Sequence, residues 1–202
     1  MRIKPHILAL MCLLASPLCC AAQQALPQLD VSGHVVIDGQ SVPYLIRHLP
    51  PASFPSLPPA ISAALTSRGC LIPQTYEAYH PENAVHGSFE SPGSSDWAVL
   101  CSVKGTTSLL VFFASRSAAE PFELSSAPET ERLQMNGGTH VLGFNWAIDP
   151  ASPQQVHQAQ AGLDPRPPLI DHDALADSTI DHKTVYHFFA KGAWTLLAMP
   201  PD

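Results

Sequence analysis

The stretch Ser95 to Phe113, SDWAVLCSVKGTTSLLVFF, constrains the fold more than any other part of the chain. Lys104-Gly105 is a two-residue turn signal. A β-hairpin closed on it sets Trp97 opposite Phe112, Val99 opposite Leu110 and Leu100 opposite Leu109. Successive residues of a strand point to opposite faces, so the unbroken apolar run Trp97-Ala98-Val99-Leu100 leaves both surfaces of the ribbon needing cover. The sequence therefore predicts a hairpin in the middle of a sheet, with the other segments packed around it.

The chain opens with Arg2 and Lys4, an apolar run from Ile7 to Leu18, and small residues at Cys20-Ala21-Ala22. This is the pattern of a signal peptide over residues 1–22, cleaved before Gln23. The run is shorter than the roughly 20 apolar residues a bilayer span needs, and no later run approaches that length. Cys19 follows Ser16-Pro17-Leu18 and Cys20 follows Pro17-Leu18-Cys19, both poor contexts for a lipid anchor. The expectation is a periplasmic or secreted protein with no membrane span, residues 23–202 forming one β-rich domain large enough to bury a core. Losing Arg2 and Lys4 makes the formal charge two units more negative than the full chain's −7. An acidic chain without basic clusters argues against nucleic acid and anionic membranes as partners.

Of five cysteines, Cys12, Cys19 and Cys20 fall in the leader, leaving Cys70 and Cys101. Two cysteines in an oxidising compartment are expected to pair as a disulfide. The Cys-x-x-Cys spacing of redox and metal sites is absent.

In chain order, Val31 to Leu49 reads as two β-type runs around Asp38-Gly39, with Pro43 marking an edge position or a bulge. The proline-rich residues 50–59 form an extended connector. A short helix follows over Ala60 to Arg68, entered through Pro58-Pro59 and stopped by Gly69. Leu71 to Glu82 is irregular, and Ala84 to Phe89 is a short strand turned by Ser91-Pro92-Gly93 into the central hairpin. Ser115 to Pro128 reads as a polar loop with a short strand near Phe122 to Leu124. Leu133 to Asn136 and His140 to Ile148 flank Asn136-Gly137-Gly138 as a further hairpin. Ser152-Pro153 opens a surface helix that Gly162 closes. A last hairpin joins Val185 to Ala190 and Ala193 to Met199 around Lys191-Gly192. The order hairpin, helix, strands, helix, hairpin points to an α+β fold, mainly antiparallel β hairpins with two short helices.

The blocks GCLIPQ (Gly69 to Gln74), NAVHGSFESPGSSDWAVLCS (Asn83 to Ser102), LLVFF (Leu109 to Phe113) and the HDAL to KGAW region (His172 to Trp194) resemble a family of small exported bacterial proteins of unassigned function. The resemblance covers about the last two-thirds of the chain and implies no activity. Gly87, Phe89, Asp96, Ala98 and Val99 also resemble the hairpin of an FG-GAP β-propeller repeat, whose acidic turn can hold Ca²⁺ through oxygen ligands. Here Ser91, Pro92, Gly93, Ser94 and Ser95 occupy that turn, leaving Glu90 and Asp96 as its carboxylates, and no second copy of the motif follows.

Candidate chemistry concentrates in Asp171-His172-Asp173, Asp177, Asp181-His182 and His187. Imidazoles with carboxylates suit Zn²⁺ or general acid–base work, but the spacing matches no ligand template, and a solvated loop leading into a strand, its aspartates forming turns, is the favoured explanation. His34, His48, His80, His86, His140 and His157 are scattered and read as surface or hydrogen-bonded residues. Nucleophile-elbow, phosphate-loop and dinucleotide motifs are absent. Asp96 is expected to cap the turn before Trp97 by accepting backbone N–H bonds. With no catalytic or metal site assigned and no cofactor implied, the sequence leans toward a non-enzymatic domain. It would bind an envelope protein or peptide through loops at one end of its sheet. The alternatives are a metal-dependent hydrolase using His172, Asp173, Asp181 and His182, and an inhibitor of an exported enzyme presenting the segment Leu71 to Glu82.

Overall fold

The computed structural model describes residues 29–200; the expected signal peptide and its cleavage point lie outside them. The chain runs through β1 (Leu29–Ile37), β2 (Gln40–Leu49), α1 (Pro59–Ser67), β3 (Ile72–Gln74), β4 (Ala84–Gly87), β5 (Asp96–Val103) and β6 (Thr106–Phe112). It continues through β7 (Phe122–Pro128), β8 (Leu133–Met135), β9 (Leu142–Phe144), β10 (Trp146–Ala151), α2 (Pro153–Ala159), β11 (Ala174–Thr179), β12 (Lys183–Ala190) and β13 (Ala193–Leu196). Three sheets result, ordered β1-β2-β9-β8 with β3 also on β2, β4-β5-β6-β7, and β10-β11-β12-β13. Among these pairings β2–β9 is parallel and the others are antiparallel. A strand-rich α+β architecture with two short helices is what the sequence pattern anticipates.

Asp38-Gly39, Lys104-Gly105 and Lys191-Gly192 each place two successive residues at positive φ, between 50° and 81°. Glycine tolerates this backbone without strain, and the resulting turn twist matches the flanking strands. The β5–β6 register is the one the pattern gives, with Trp97 facing Phe112, Val99 facing Leu110 and Leu100 facing Leu109. Both faces of this ribbon are covered. Ala98, Leu100, Leu109 and Val111 pack in one core with Ile46, Phe144, Trp146, Ile148, Leu175 and Phe189 from the other two sheets. Trp97, Val99, Leu110 and Phe112 pack in a second with Phe54, Leu57, Ile61 and Leu65 of the proline-rich connector and α1. At roughly 1.5–3 kcal/mol per fully buried large apolar side chain, this two-sided burial makes the ribbon the main source of hydrophobic stabilisation.

Cys70 and Cys101 are bonded, their Cα atoms 5.3 Å apart, which ties the end of α1 to the centre of β5. The bridge closes a loop of sequence separation 31. In the chain-entropy model such a loop contributes about 3–4 kcal/mol. Replacing both cysteines with Ala is expected to lower unfolding stability by that amount, read as a reduced midpoint in urea, with a steeper slope as the unfolded chain loses its cross-link.

The structure departs from the sequence reading in several segments. Residues 72–74, within a stretch read as irregular, form β3 on β2, and the strand read near Phe122 to Leu124 runs on to Pro128. His140 to Ile148 is not one strand: it breaks at Asn145, leaving β9 in one sheet and β10 in another. The buried Asn145 holds the break, donating its N–H to the Arg132 carbonyl (2.9 Å) and accepting the Ile180 N–H on its own carbonyl (2.9 Å). Residues 174–179, read as part of a solvated loop, form β11 between β10 and β12. Ala174 and Leu175 point to its opposite faces and both are fully buried, in two different cores. Small side chains and a mid-strand aspartate gave it a weak β signal. Asp177 is satisfied by neighbours distant in sequence, accepting from the Trp146 indole N–H at 2.6 Å and lying 3.2 Å from His187 Nε2.

Candidate functional site

The loop from Ser88 to Ser95 leaves β4 and must return into β5 within a few residues. Asp96, fully buried at the start of β5, holds it. Its Oδ2 accepts from the Glu90 N–H at 2.7 Å and the Ser94 hydroxyl at 2.5 Å, while Oδ1 accepts from the Ala114 N–H at 2.8 Å. One carboxylate thus caps the turn and pins the chain leaving β6. Gly87 matters here too, because the Phe89 ring lies where a Cβ would sit, 2.6 Å away.

A second loop, Pro168 to Asp173, is locked to the first. Asp173 donates its N–H to the Ser88 carbonyl at 3.2 Å, and its Oδ2 accepts the Ser88 N–H at 3.0 Å. Next to it, His172 is buried with its ring against Phe188, centroids 4.4 Å apart. His172 Nε2 lies 2.9 Å from the Phe189 carbonyl, which only accepts, so that nitrogen carries a hydrogen; Nδ1 meets Asp171 Oδ1 at 2.6 Å. The third loop is the tight Lys191-Gly192 turn between β12 and β13.

These three loops enclose an open cleft of about 660 Å³ at one end of the sheets. Pro92, Pro168, Leu169, Ile170 and Phe188 give it apolar walls, and Glu90, Asp171 and Lys191 place charges of both signs at its rim. The volume lies in the range of small-molecule and peptide sites. Its geometry does not suit His172 to proton transfer. The nitrogen opposite the Asp171 contact, the one an acid–histidine relay would offer to a nucleophile, is engaged by a backbone carbonyl.

The residues of the hydrolase alternative do not converge. Asp173 and His172 stand before β11, and Asp181 and His182 lie in the turn after it, a strand of six residues or about 20 Å away. Asp181 instead accepts from the Tyr76 hydroxyl at 3.1 Å. Burial, then this bond and the charges of Asp181 and Glu77, push the Tyr76 phenol up to about 12. Among the described residues, no group of three or more His, Cys, Asp or Glu side chains is placed to hold a metal. Glu90 donates its backbone N–H to Asp96, so the two carboxylates considered for Ca²⁺ belong to a closed turn.

Two arrangements escaped the sequence. His86 Nε2 and Ser95 Oγ are 2.8 Å apart on the surface beside Trp97, a hydroxyl–imidazole contact without a carboxylate on the other ring nitrogen. The other is buried. His48 and Glu129, 81 residues apart, meet through Nε2 and Oε1 at 2.7 Å, with His48 Nδ1 3.2 Å from the Leu29 carbonyl. Strand alternation could have flagged His48, since it shares a face of β2 with the buried Ile46, but nothing local identified its partner. Compared with family models, with curated proteins and with solved structures, the chain matches none.

Proposed function

We propose that the protein is an exported, non-enzymatic binding domain of the bacterial envelope that takes an extended segment of a protein or peptide into the cleft between its three loops. The observation that carries this reading is the cleft itself, apolar in its walls, charged at its rim, and built on loops fixed by Asp96 and Asp173. Rigid loops lower the ordering cost of association. Export is supported by the leader pattern at the N-terminus and by the Cys70–Cys101 bridge, which suits an oxidising compartment. Among the described residues no helix is long and apolar enough to cross a membrane.

Leu169 gives the reading its simplest test, because it lines the cleft and is itself exposed. Leu169→Asp is expected to keep the wild-type unfolding midpoint and to lose at least about tenfold of the envelope component retained after crosslinking in the periplasm. Undiminished retention would place binding elsewhere.

A second reading has an observation of its own. Tyr79 is 94 % exposed at the tip of the loop after β3. That loop is clamped by Arg47, which donates to the Thr75 and Ala78 carbonyls, and by paired bonds between Gln74 and Glu82. A rigid loop with a bare aromatic tip is the form an inhibitor of an exported enzyme would present.

A further inference from the structure

The β1–β2 hairpin projects from the body as an arm. β2 reaches β9 only at Tyr44 and Leu45, and β3 only at Arg47 to Leu49, so the outer half of the arm has no third strand. Among the described residues β1 pairs with β2 alone and presents a free edge nine residues long. Among the described residues, five of the ten exposed large apolar side chains sit on this arm: Leu29, Val31, Val36, Ile37 and Leu45.

Exposed edges invite strand addition, and proteins normally blunt them with lysine, proline, bulges or short length. Among the described residues the other edges are blunted: β10 carries Asp149-Pro150 and β3 has three residues. β7 reads FELSSAP, polar and ending in proline, β4 and β13 have four residues each, and β8 has three. β1 has no proline or lysine, and its register with β2 runs without a bulge.

The sequence of β1, LDVSGHVVI, is a near-palindrome about Gly33. Laid antiparallel on a second copy about a two-fold axis at Gly33, it pairs Leu29 with Ile37, Val31 with Val35 and Gly33 with Gly33. All five fall on one face, as strand parity requires. On the other face Ser32 meets His34, and Asp30 meets Val36, so no like charges stand opposite each other. Gly33 is also where the Tyr44 side chain crosses β1, its ring 2.8 Å from the position a Cβ would take. The two-fold axis thus falls where the strand has no side chain of its own and the neighbouring strand supplies an aromatic cover.

We propose that β1 is a self-association strand, joining two copies of this chain edge to edge into a continuous β2-β1-β1-β2 sheet. The occupant is a second copy because the apolar and polar positions match under a two-fold operation, and such an isologous contact closes at a dimer. An interface of one strand edge is small, so the dimer forms reversibly with concentration.

Val36 provides the test, because it is 76 % exposed and lies opposite Asp30 of the other copy in this register alone. Protein expressed as the full chain and purified in its processed form is followed by sedimentation equilibrium from micromolar to several hundred micromolar. Wild type is expected to pass from one chain mass to two and no further. Val36→Lys should tighten the dimer and Val36→Asp weaken it, the two differing about tenfold in dissociation constant, since each dimer contains the pair twice. Both substitutions stand at an exposed position, and unchanged unfolding midpoints verify the fold. A wild type that stays monomeric, assembly beyond two chains, or equal dissociation constants for the two variants would overturn the proposal.

Discussion

Asp96→Ala is expected to destabilise the protein by about 3–6 kcal/mol, among the largest effects of any single substitution, although Asp96 is not part of the hydrophobic core. The carboxylate is fully buried and accepts the backbone N–H groups of Glu90 and Ala114. Hydrogen bonds to a charged group are worth roughly 1.5–3 kcal/mol each, and deletion leaves both part-buried amides without their acceptor. The Ser94 hydroxyl suffers less, because the Ser91 carbonyl lies 2.8 Å away as an alternative acceptor. Asp96→Asn keeps one oxygen acceptor and turns an NH₂ group toward N–H donors, so its cost should fall between wild type and Ala. Urea unfolding gives the magnitudes. Amide exchange locates them, with protection lost first at Glu90 and Ala114 and retained at Leu100 in β5. Uniform loss of protection would mean that Asp96 supports the whole sheet rather than the loop.

The second large effect concerns the buried His48–Glu129 pair. Glu129→Ala is expected to cost about 3–5 kcal/mol at neutral pH, because it strands a buried imidazole whose remaining contact is the Leu29 carbonyl. Burial pushes the Glu129 carboxyl up. The hydrogen bonds from His48 and Ser102, the charge of His48 and the bond from Thr107 outweigh it and hold the group below its ordinary value of 4.5. A carboxyl depressed in the folded state contributes stability that is present above the unfolded value and lost as pH falls through the folded one. The difference in unfolding free energy between wild type and Glu129→Ala should therefore be full at pH 7 and shrink progressively below about pH 4.5. A difference that stays constant down to pH 3 would show that Glu129 acts through packing alone.

The pair also shows where sequence reading stops. The central hairpin was legible because its apolar residues run consecutively, a pattern that only two-sided burial explains, and because Lys104-Gly105 permits one tight turn. The start of α2 was legible for a local reason as well. Ser152 accepts the Gln155 N–H while the Gln155 side chain accepts the Ser152 N–H, all within four residues. β11 was not legible, because what permits Asp177 inside a strand is Trp146, 31 residues away in a different segment. His48 and Glu129 are likewise individually unremarkable, and only the placement of β2 beside the end of β7 joins them. The candidate cleft divides in the same way. Its loops are visible as Ser91-Pro92-Gly93, Pro167-Pro168 and Lys191-Gly192, but their meeting at one end follows from sheet order, which no local signal encodes.

The three-loop cleft is the surface at which this protein is proposed to meet its partner. The most direct test is photo-crosslinking in living cells from a photoreactive residue placed at Leu169 in one strain and at Tyr79 in another. Both positions are exposed, the first in the cleft and the second at the tip of the clamped loop. A discrete adduct with an envelope component is expected from position 169 and not from position 79. An adduct from position 79 alone would contradict the cleft and favour the inhibitor reading, and no adduct from either would contradict both.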